Sequence, residues 1–435
     1  MTTESYGFSM PWETVSGRVP DCCASVDDVQ RNHSQVDRLL RLIVQRPFFR
    51  IFKVNLDRPC QFFPDDGMCG RESCAVSECY EDEIPEPWRT RPPRTCSATP
   101  RRRPREAEMN WLSSQNDVDY SLLTSFHNFD AYDGPDVSIV QNTGSPLPEF
   151  AELTPHATPT LDSRDEAMSY VNLQRNPERY TGYVGELATR IWNAIYEENC
   201  FQEKDGGDHC FEERVFFRLM SGLHTSINTH LSRHFYPNDS PNLLLWQHKV
   251  GMHPDRIENL YFTFLLISRA VALSLPHLTD YEYDTGDPSN DMEVARLLEE
   301  LAELPIFQSN VPCFDETALF SSSGQGRVGL EGAGTQLKLK RDFVQHFRNV
   351  SLILDCVTCE KCKLWGKLQV LGVGTALKVL MSEGAGVSYD LERNEIIAMF
   401  NTLSKLSQSI RTIDYMSSLL QDPLGGSPSR FLDVD

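Results

Sequence analysis

In the segment Asp355-Cys356-Val357-Thr358-Cys359-Glu360-Lys361-Cys362-Lys363-Leu364-Trp365-Gly366-Lys367, three cysteines stand two residues apart and lead into a helical pattern. Two cysteines spaced C-x-x-C at the start of a helix can close a small, reducible disulfide. The positive end of the helix dipole also favours thiolate over thiol. The segment therefore predicts redox chemistry.

Metal binding is the rival interpretation, because C-x-x-C-x-x-C also resembles part of an iron–sulfur or zinc ligand set. A ferredoxin-type run would need a further cysteine followed by proline. Here Cys362 is followed by Lys363-Leu364-Trp365-Gly366, and no cysteine comes later in the chain. A zinc site could recruit a distant fourth ligand. From this segment alone, a redox pair, a metal site and an inert structural bridge all stay open.

The composition predicts a soluble globular protein. The chain has 435 residues, of which 24% are charged and 40% hydrophobic, enough for one large domain or two ordinary ones. A net charge of −21 argues against general nucleic-acid binding. No run of eighteen apolar residues occurs, so we expect no membrane span.

The cysteine content and the N-terminus point in different directions. Thirteen cysteines are more than most cytosolic enzymes carry, which favours an oxidising compartment. Residues 1–8 show neither a basic n-region nor an apolar h-region, so we expect no signal peptide there. N-x-S sequons at Asn32, Asn238 and Asn349 are compatible with secretion, although Pro241 weakens the second.

Upstream, four cysteines fall between Arg58 and Tyr80 in a stretch without apolar periodicity that holds proline, glycine and paired acids. We expect an exposed loop there. Cys69 and Cys74, spaced C-x4-C, can reach each other across a turn. A disulfide on such a loop is accessible to another protein's thiolate, as an electron shuttle requires. The alternative is a bridge that only stabilises the loop.

The stretch 88–105 is rich in arginine and proline and predicts a disordered insertion, with a nuclear-targeting or anion-binding patch as the alternative. Residues 106–160 have the composition of a linker. Gly324-Gln325-Gly326-Arg327-Val328-Gly329 matches the dinucleotide pattern G-x-G-x-x-G, but Ser321-Ser322-Ser323 rather than a strand precedes it. We therefore interpret that match as a flexible loop.

From about residue 163 onward, and also near residue 40, apolar residues recur at helical spacing and almost nothing alternates at period two. The sequence therefore predicts a helical core. The residues concerned are Val36, Leu39, Leu40 and Ile43; Leu187, Ile191 and Ile195; Leu219, Leu223 and Ile227; Ile257, Leu260, Tyr261, Phe264 and Leu265; Phe343, Phe347, Val350 and Leu354; and Ile396, Phe400 and Leu403.

Six segments in this order resemble the endoplasmic oxidoreductin family, the FAD-dependent thiol oxidases of the endoplasmic reticulum lumen. They are Cys69-Gly70-Arg71-Glu72-Ser73-Cys74-Ala75-Val76, Asn176-Pro177-Glu178-Arg179-Tyr180-Thr181-Gly182-Tyr183, Ser221-Gly222-Leu223-His224, Asn259-Leu260-Tyr261-Phe262, His346-Phe347-Arg348-Asn349-Val350-Ser351, and the segment from Cys356 to Lys367. The resemblance covers about residues 20–85 and 165–410, and six ordered motifs make it specific.

The resemblance implies a mainly α, single-domain helical bundle that encloses FAD and carries irregular, disulfide-stapled loops. The domain would span 17–435, with an N-terminal segment at 17–87 bearing the shuttle-cysteine loop, a variable insert at 88–162 and a helical FAD-binding core at 163–410. It also implies a location in the endoplasmic reticulum lumen. A peripheral position on the lumenal membrane face is compatible with this.

The resemblance further implies an electron relay. Reduced protein disulfide isomerase, or a related thioredoxin-like protein, would attack an outer disulfide matched by Cys69–Cys74. Exchange would pass the electrons to an inner disulfide matched by Cys359–Cys362, then to FAD and O2, giving hydrogen peroxide. No metal and no nucleic acid takes part. The alternative from another class is a non-catalytic, disulfide-stapled partner of thioredoxin-like proteins.

Family cofactor contacts match seven positions: Arg179, Thr181, Trp192, Ser221, His224, Arg256 and Arg269. An indole offers a stacking plane for adenine, and Ser221 and His224, three residues apart, share one helix face. Arg256 and Arg269 are thirteen residues apart, about 220° around a helix. Either the ligand must wrap or the helix must begin between them.

Structural bridges carried over by the resemblance are Cys60–Cys356 and Cys200–Cys210. The first would remove Cys356 from the redox pair. Asn128-Phe129-Asp130 stands where animal members carry a regulatory cysteine, so their inhibitory bridge to Cys69 cannot form with this partner. Cys79 is then an alternative partner for Cys74, and Cys96 could pair with Cys313.

Overall fold

The computed structural model describes residues 19, 22, 24–60, 62, 74–89, 168–179, 186–199, 211–235, 240–308, 343–381 and 391–421. Within these residues the chain is mainly helical, which confirms the predicted fold class. The predictions that concern Cys69, Cys96, Thr181, Cys200, Cys210, Cys313, Asn238, the glycine-rich segment 324–329 and most of the 88–162 insert lie outside the described residues.

The elements follow one another as helices interrupted by one pair of strands. They are α1 (Val26–Val44), α2 (Pro47–Arg50), β1 (Ile51–Val54), β2 (Ser169–Asn172), α3 (Glu186–Glu197), α4 (Phe211–Arg233), α5 (Leu243–Trp246), a π turn (Gln247–Gly251), α6 (Pro254–Leu278), α7 (Pro288–Ala302), α8 (343–354), α9 (Glu360–Leu380) and α10 (Arg393–Gln421). Short 3-10 turns span Glu81–Glu83, Glu86–Trp88 and Pro305–Phe307.

Local chemistry explains where several helices begin. Ser25 caps α1, since its side chain accepts from the Asp28 amide and the Asp28 carboxylate accepts from the Ser25 amide. Proline occupies the first position of α6 and of α7, where its missing N–H costs nothing. Cys359 is the N-cap residue of α9 and makes no side-chain cap bond. The C-x-x-C pair therefore lies at a helix start, as its position before a helical pattern predicts.

The apolar faces predicted from periodicity are buried in one core. Leu40, Ile43, Leu260, Phe264 and Phe400 are at most 1% exposed. The helix α6 packs against α4, and α9 packs against α10, which also receives α1. These contacts leave the start of α9 buried beneath the other helices, where a dithiol is shielded from water.

Two glycines allow the closest helix approaches. A Cβ atom on Gly222 of α4 would meet Thr263 and the Asn259 carbonyl of α6. A Cβ atom on Gly372 of α9 would lie 2.6 Å from the Ala398 carbonyl oxygen of α10 and would also overlap Thr402. Backbone packs on backbone at both crossings, and any side chain there must separate the helices.

Replacing Gly372 by alanine should therefore destabilise the fold by about 1–3 kcal/mol because the new methyl group overpacks the α9–α10 crossing. Gly374 is the matched control on the same helix, since the nearest atom to its added Cβ would be 4.0 Å away, on Phe347. Gly374→Ala should be neutral or stabilising by up to about 1 kcal/mol through helix propensity. Urea unfolding of both variants measures the difference; equal destabilisation would refute the crossing argument.

The small antiparallel sheet pairs β1 with β2 in the register Ile51 with Asn172 and Val54 with Ser169. The C-terminal helix fastens to it: Arg393 donates to the Ile51 carbonyl at 2.8 Å, and Asn394 bonds the backbone of Lys53 in both directions. The Arg393 guanidinium also lies 4.4 Å from the centre of the Trp88 ring. The sheet thus anchors the N-terminal chain to the helical core.

One helix among the described residues, α6, is long and apolar enough to cross a membrane, although the sequence shows no uninterrupted apolar run. Its most apolar window has a mean hydropathy of 1.3, and 78% of that window is buried inside the protein. A helix surrounded by other helices needs apolar residues on all sides. Burial in the core accounts for its composition.

Candidate active site

Cys359 and Cys362 form the centre of the site. Their Sγ atoms lie 2.8 Å apart, and both side chains are fully buried. A disulfide bond is about 2.05 Å long, so a small movement of the two sulfurs is enough to close or open one. Because Cys359 is the N-cap of α9 and Cys362 lies in its first turn, the helix dipole stabilises negative charge on sulfur.

The third cysteine of the segment is used differently. Cys356 forms a disulfide with Cys60, across a sequence separation of 296 residues and a Cα–Cα distance of 4.5 Å. Two cysteines are left at the α9 start. Among the described residues, no group of three or more His, Cys, Asp or Glu side chains is arranged to hold a metal ion. Two adjacent sulfurs that can join covalently are a donor set for thiol–disulfide exchange.

Buried charges flank this structural disulfide. Asp355 is 4% exposed and pairs with Lys367 of α9, and its carboxylate lies 3.6 Å from Arg58. Burial raises the pKa of Asp355, although the nearby Lys367 ammonium acts to lower it. Burial also lowers the pKa of Lys367. Arg58 and Asp355 precede Cys60 and Cys356, so the ion pair and the disulfide join the same two chain segments.

Arg179 is held near the dithiol by the segment before it. The Asn176 carbonyl accepts from the Trp365 indole at 2.7 Å, and the buried Glu178 carboxylate accepts from Gln369 at 3.2 Å. Burial, and next the charge of Arg179, lower the pKa of Lys361, whereas Cys359 raises it. Arg179 is exposed and adds positive charge beside the first turn of α9.

The segment that carries the outer cysteines reaches the same helix start. Cys74 is 1% exposed and engaged in a disulfide, while Cys69 lies outside the described residues. The Val76 amide donates to the Glu360 carboxylate at 2.8 Å. Cys74 therefore lies two residues before Val76, whose amide contacts Glu360, the residue that follows Cys359.

Cys79 is not bonded to Cys74 in this structure, so the bridge that the sequence allowed is absent. Its thiol is half-buried and outside any disulfide. Burial, followed by the nearby Glu83 carboxylate, raises its pKa to about 11. A thiol with so high a pKa is a weak nucleophile at neutral pH.

The predicted cofactor contacts Trp192 and His224 form an aromatic stack. Their rings are 3.8 Å apart and inclined by 12°, and the Tyr196 hydroxyl lies 3.1 Å from His224 Nδ1. Burial, and next the charges of Arg256 and Lys249, hold the pKa of His224 well below its usual range. The imidazole is consequently neutral at physiological pH and lies beside two cationic side chains.

Ser221 lies on the same helix as His224, and a buried network orients it. The Asn259 amide donates to Ser221 Oγ at 3.1 Å, and Arg218 donates to Asn259 Oδ1 at 3.0 Å. The guanidinium of Arg218 also lies 4.0 Å from the centre of the Phe262 ring. The hydroxyl is therefore placed by residues of both α4 and α6.

Both predicted arginines of α6 lie within the one helix, so it does not begin between them. Arg256 is in the first turn and donates to the Lys249 carbonyl at 2.9 Å. Arg269 lies thirteen residues further on, about 20 Å along the axis. The structure thus groups Arg256 with His224 and places Arg269 at a distance that a ligand must span or wrap around.

Sequence reasoning missed three residues that surround His224 and Ser221: Tyr196, Lys249 and Asn259. Tyr196 follows Trp192 by four residues, a spacing that places both on one face of α3 and could have revealed it. Asn259 lies in a recognised motif but was given no role. Lys249 is only 8% exposed and belongs to the π turn, whose irregular backbone follows no apolar period.

The comparisons with known proteins identify a family. The chain matches the sequence model described as Endoplasmic Reticulum Oxidoreductin 1 (ERO1) over residues 35–413. It is 38% identical to Endoplasmic reticulum oxidoreductin-1 of Arabidopsis thaliana over 412 residues, covering 92% of this chain and 80% of that protein. It is 31% identical to ERO1-like protein alpha of Homo sapiens over 485 residues, covering 97% and 96%.

Solved structures show the same fold. A double cysteine mutant of S. cerevisiae Ero1p superimposes with a TM-score of 0.60 at 26% identity, covering 92% of this chain and 98% of that one. Ero1p described as a source of disulfide bonds for oxidative protein folding gives the same TM-score at 25% identity. The predicted resemblance is confirmed, and the chain belongs to the ERO1 family of endoplasmic reticulum oxidoreductins.

Proposed function

We propose that this chain is a thiol oxidase for oxidative protein folding in the endoplasmic reticulum lumen, and that protein disulfide isomerase or a related thioredoxin-like protein supplies its electrons. One observation carries the proposal: Cys359 and Cys362 are buried side by side, 2.8 Å apart, at the start of α9. A shielded pair of sulfurs at a helix start can cycle between dithiol and disulfide.

The proposed relay consists of two exchanges and one oxidation. One thiolate of a substrate dithiol attacks the outer disulfide, Cys69–Cys74, and forms a mixed disulfide while one of these two cysteines leaves as a thiolate. The second substrate thiolate then breaks the mixed disulfide, so that the substrate leaves as a disulfide and Cys69 and Cys74 become thiols. These two thiols reduce the inner disulfide, Cys359–Cys362, in the same way. Re-forming the inner disulfide releases two electrons and two protons. O2 takes up the two electrons and the two protons and becomes hydrogen peroxide.

FAD, when bound, would supply the two-electron acceptor that connects a dithiol to O2. The side chains around the Trp192–His224 stack fit such a group. The Trp192 and His224 rings form a flat surface, in which Trp192 is buried and His224 is partly exposed, and Arg256 and Lys249 bring positive charge beside it. Arg256 also lies in the first turn of α6, whose N-cap His253 makes no side-chain cap bond. A helix start of this kind favours a pyrophosphate.

Trp192, Ser221, His224 and Arg256 would therefore hold the cofactor. Arg179, Thr181 and Arg269 are proposed as further contacts. The neutral imidazole of His224 offers a hydrogen-bonding nitrogen without adding charge.

Purified protein tests the proposal directly. The full chain should be yellow with a flavin absorbance band, and it should consume O2 and release hydrogen peroxide in equal amounts when given a reduced thioredoxin-like protein. Colourless, oxygen-inert protein with its disulfides intact would refute the oxidase. That result would favour the alternative of a non-catalytic partner of thioredoxin-like proteins.

Trp192→Ala should release the flavin because it removes one of the two rings of the stack. We expect at least a tenfold loss of bound flavin per protein. A factor of this size is roughly what the stacking of an aromatic pair and the burial of its apolar area contribute to binding. Trp192→Phe is the matched control and should keep most of the flavin, since it preserves a flat ring. Absorbance of the purified variants gives the stoichiometry, and circular dichroism confirms that both are folded. Full colour in Trp192→Ala would contradict the assignment.

A further inference from the structure

The chain just after Cys74 runs along the edge of β2. Glu78 forms an antiparallel bridge with Val171, and the Cys79 amide donates to the Tyr170 carbonyl at 2.7 Å. The Ser169 hydroxyl donates to the Glu78 carboxylate at 2.8 Å. We call residues 75–79 the arm. Its far half is fixed to the sheet by backbone bonds.

The middle of the arm is fixed to the segment that carries Arg179. The Ser77 amide donates to Asn176 Oδ1 at 2.7 Å, and Asn176 Nδ2 donates back to the Ser77 carbonyl at 2.8 Å. Asn176 is fully buried, and its own carbonyl accepts from Trp365 of α9. The arm is thus indirectly connected to the helix that begins with the dithiol.

The near end of the arm contacts that helix directly, through one side chain. The Val76 amide donates to Glu360 Oε2 at 2.8 Å, and Glu360 is the first residue of α9, next to Cys359. Two residues of extended chain span at most about 7 Å, so this bond limits how far Cys74 can move from the start of α9. A bond from an amide to a carboxylate is one of the stronger kinds.

We propose that Glu360 is a positioning residue that holds the arm against the start of α9, so that the Cys74 side of the outer disulfide is within reach of Cys359 and Cys362. This role rests on the proposed function. Glu360 speeds only the exchange between the outer and inner pairs. A small dithiol that reduces the inner pair directly does not need it.

Two substitutions separate the hydrogen bond from the charge. Glu360→Ala removes both, whereas Glu360→Gln keeps an oxygen that can accept from Val76 and removes only the charge. Glu81→Ala is a matched surface control, because Glu81 is exposed, carries the same charge and lies five residues after Val76. None of the three substitutions alters a cysteine or a proposed cofactor contact.

The experiment compares turnover with a reduced thioredoxin-like protein and with dithiothreitol. Glu360→Ala should lower kcat for the protein substrate about tenfold, the loss expected for a hydrogen bond to a charged group, while turnover of dithiothreitol stays within about twofold. Glu360→Gln and Glu81→Ala should leave the ratio of the two rates near that of the unmodified chain. A purely structural role would lower both rates together.

Hydrogen exchange provides a readout that does not depend on activity. The peptide containing the Val76 amide should lose protection in Glu360→Ala and keep it in Glu360→Gln. An equal fall in both rates, or unchanged exchange at Val76 in Glu360→Ala, would overturn the positioning role while the oxidase stands. An unmodified chain that oxidises neither substrate would overturn the proposed function, and the role of Glu360 with it, even if exchange at Val76 responds as expected.

Discussion

Replacing either Cys359 or Cys362 by alanine should abolish turnover, by on the order of a thousandfold or more, while the protein stays folded and yellow. A disulfide needs two sulfurs, and with Cys356 already bonded to Cys60, Cys359 and Cys362 are the two that lie side by side at the start of α9.

The flavin should stay bound in these variants, since the proposed contacts Trp192, Ser221, His224 and Arg256 belong to other helices. Oxygen consumption with a reduced thioredoxin-like protein measures activity, and absorbance measures flavin. Cys79→Ala is the matched control, because this thiol is half-buried and outside any disulfide. Activity retained in Cys359→Ala or Cys362→Ala would show that another pair of sulfurs performs the oxidation.

The second large effect concerns stability. The double variant Cys60→Ala with Cys356→Ala should lose about 3–5 kcal/mol of the free energy of unfolding, because the native bridge closes a loop of 296 residues. Such a loop costs the unfolded chain much of its conformational entropy. The bridge also holds Arg58 near Asp355, so its loss should weaken the buried charge cluster.

The double variant is preferable to either single one, since Cys60→Ala alone leaves a Cys356 thiol three residues from Cys359, where it can join the exchange. The midpoint of urea unfolding under non-reducing conditions measures the loss. The urea midpoint of the unmodified chain in reductant is measured for comparison. Reductant opens the other disulfides of the chain as well as Cys60–Cys356. A midpoint equal to that of the oxidised, unmodified chain would show that helix packing alone holds these segments together.

Much of the helical core could be predicted from spacing alone. Leu39, Leu40 and Ile43 share one face of α1, and Ile396, Phe400 and Leu403 share one face of α10; all six are at most 2% exposed. Periodicity succeeds here because each helix must bury one stripe of side chains, whatever the partner helix is. The same argument could not reveal that Gly222 and Gly372 mark the crossings, which depend on which helices meet.

The proposed cofactor contacts and their surroundings were only partly predictable. Ser221 and His224 belong to one motif, and their shared face follows from helical geometry. Lys249, whose charge acts on His224, belongs to a π turn before α6, and no pattern in the sequence marks that turn. The sequence likewise left open whether α6 begins before or after Arg256, which the structure decided by starting the helix at Pro254.

The sequence by itself determined the helical class, the buried stripes and the C-x-x-C pair at a helix start, because these depend on contacts between residues a few positions apart. The family resemblance implied that Cys356 bonds to Cys60, and the structure contains this bridge. Only the tertiary structure decided that Asn176 fastens the arm and that Glu360 receives the Val76 amide. Each of these contacts joins residues separated by 99 to 296 positions in the chain. Such pairs meet only when the whole core has packed, and local spacing carries no record of them.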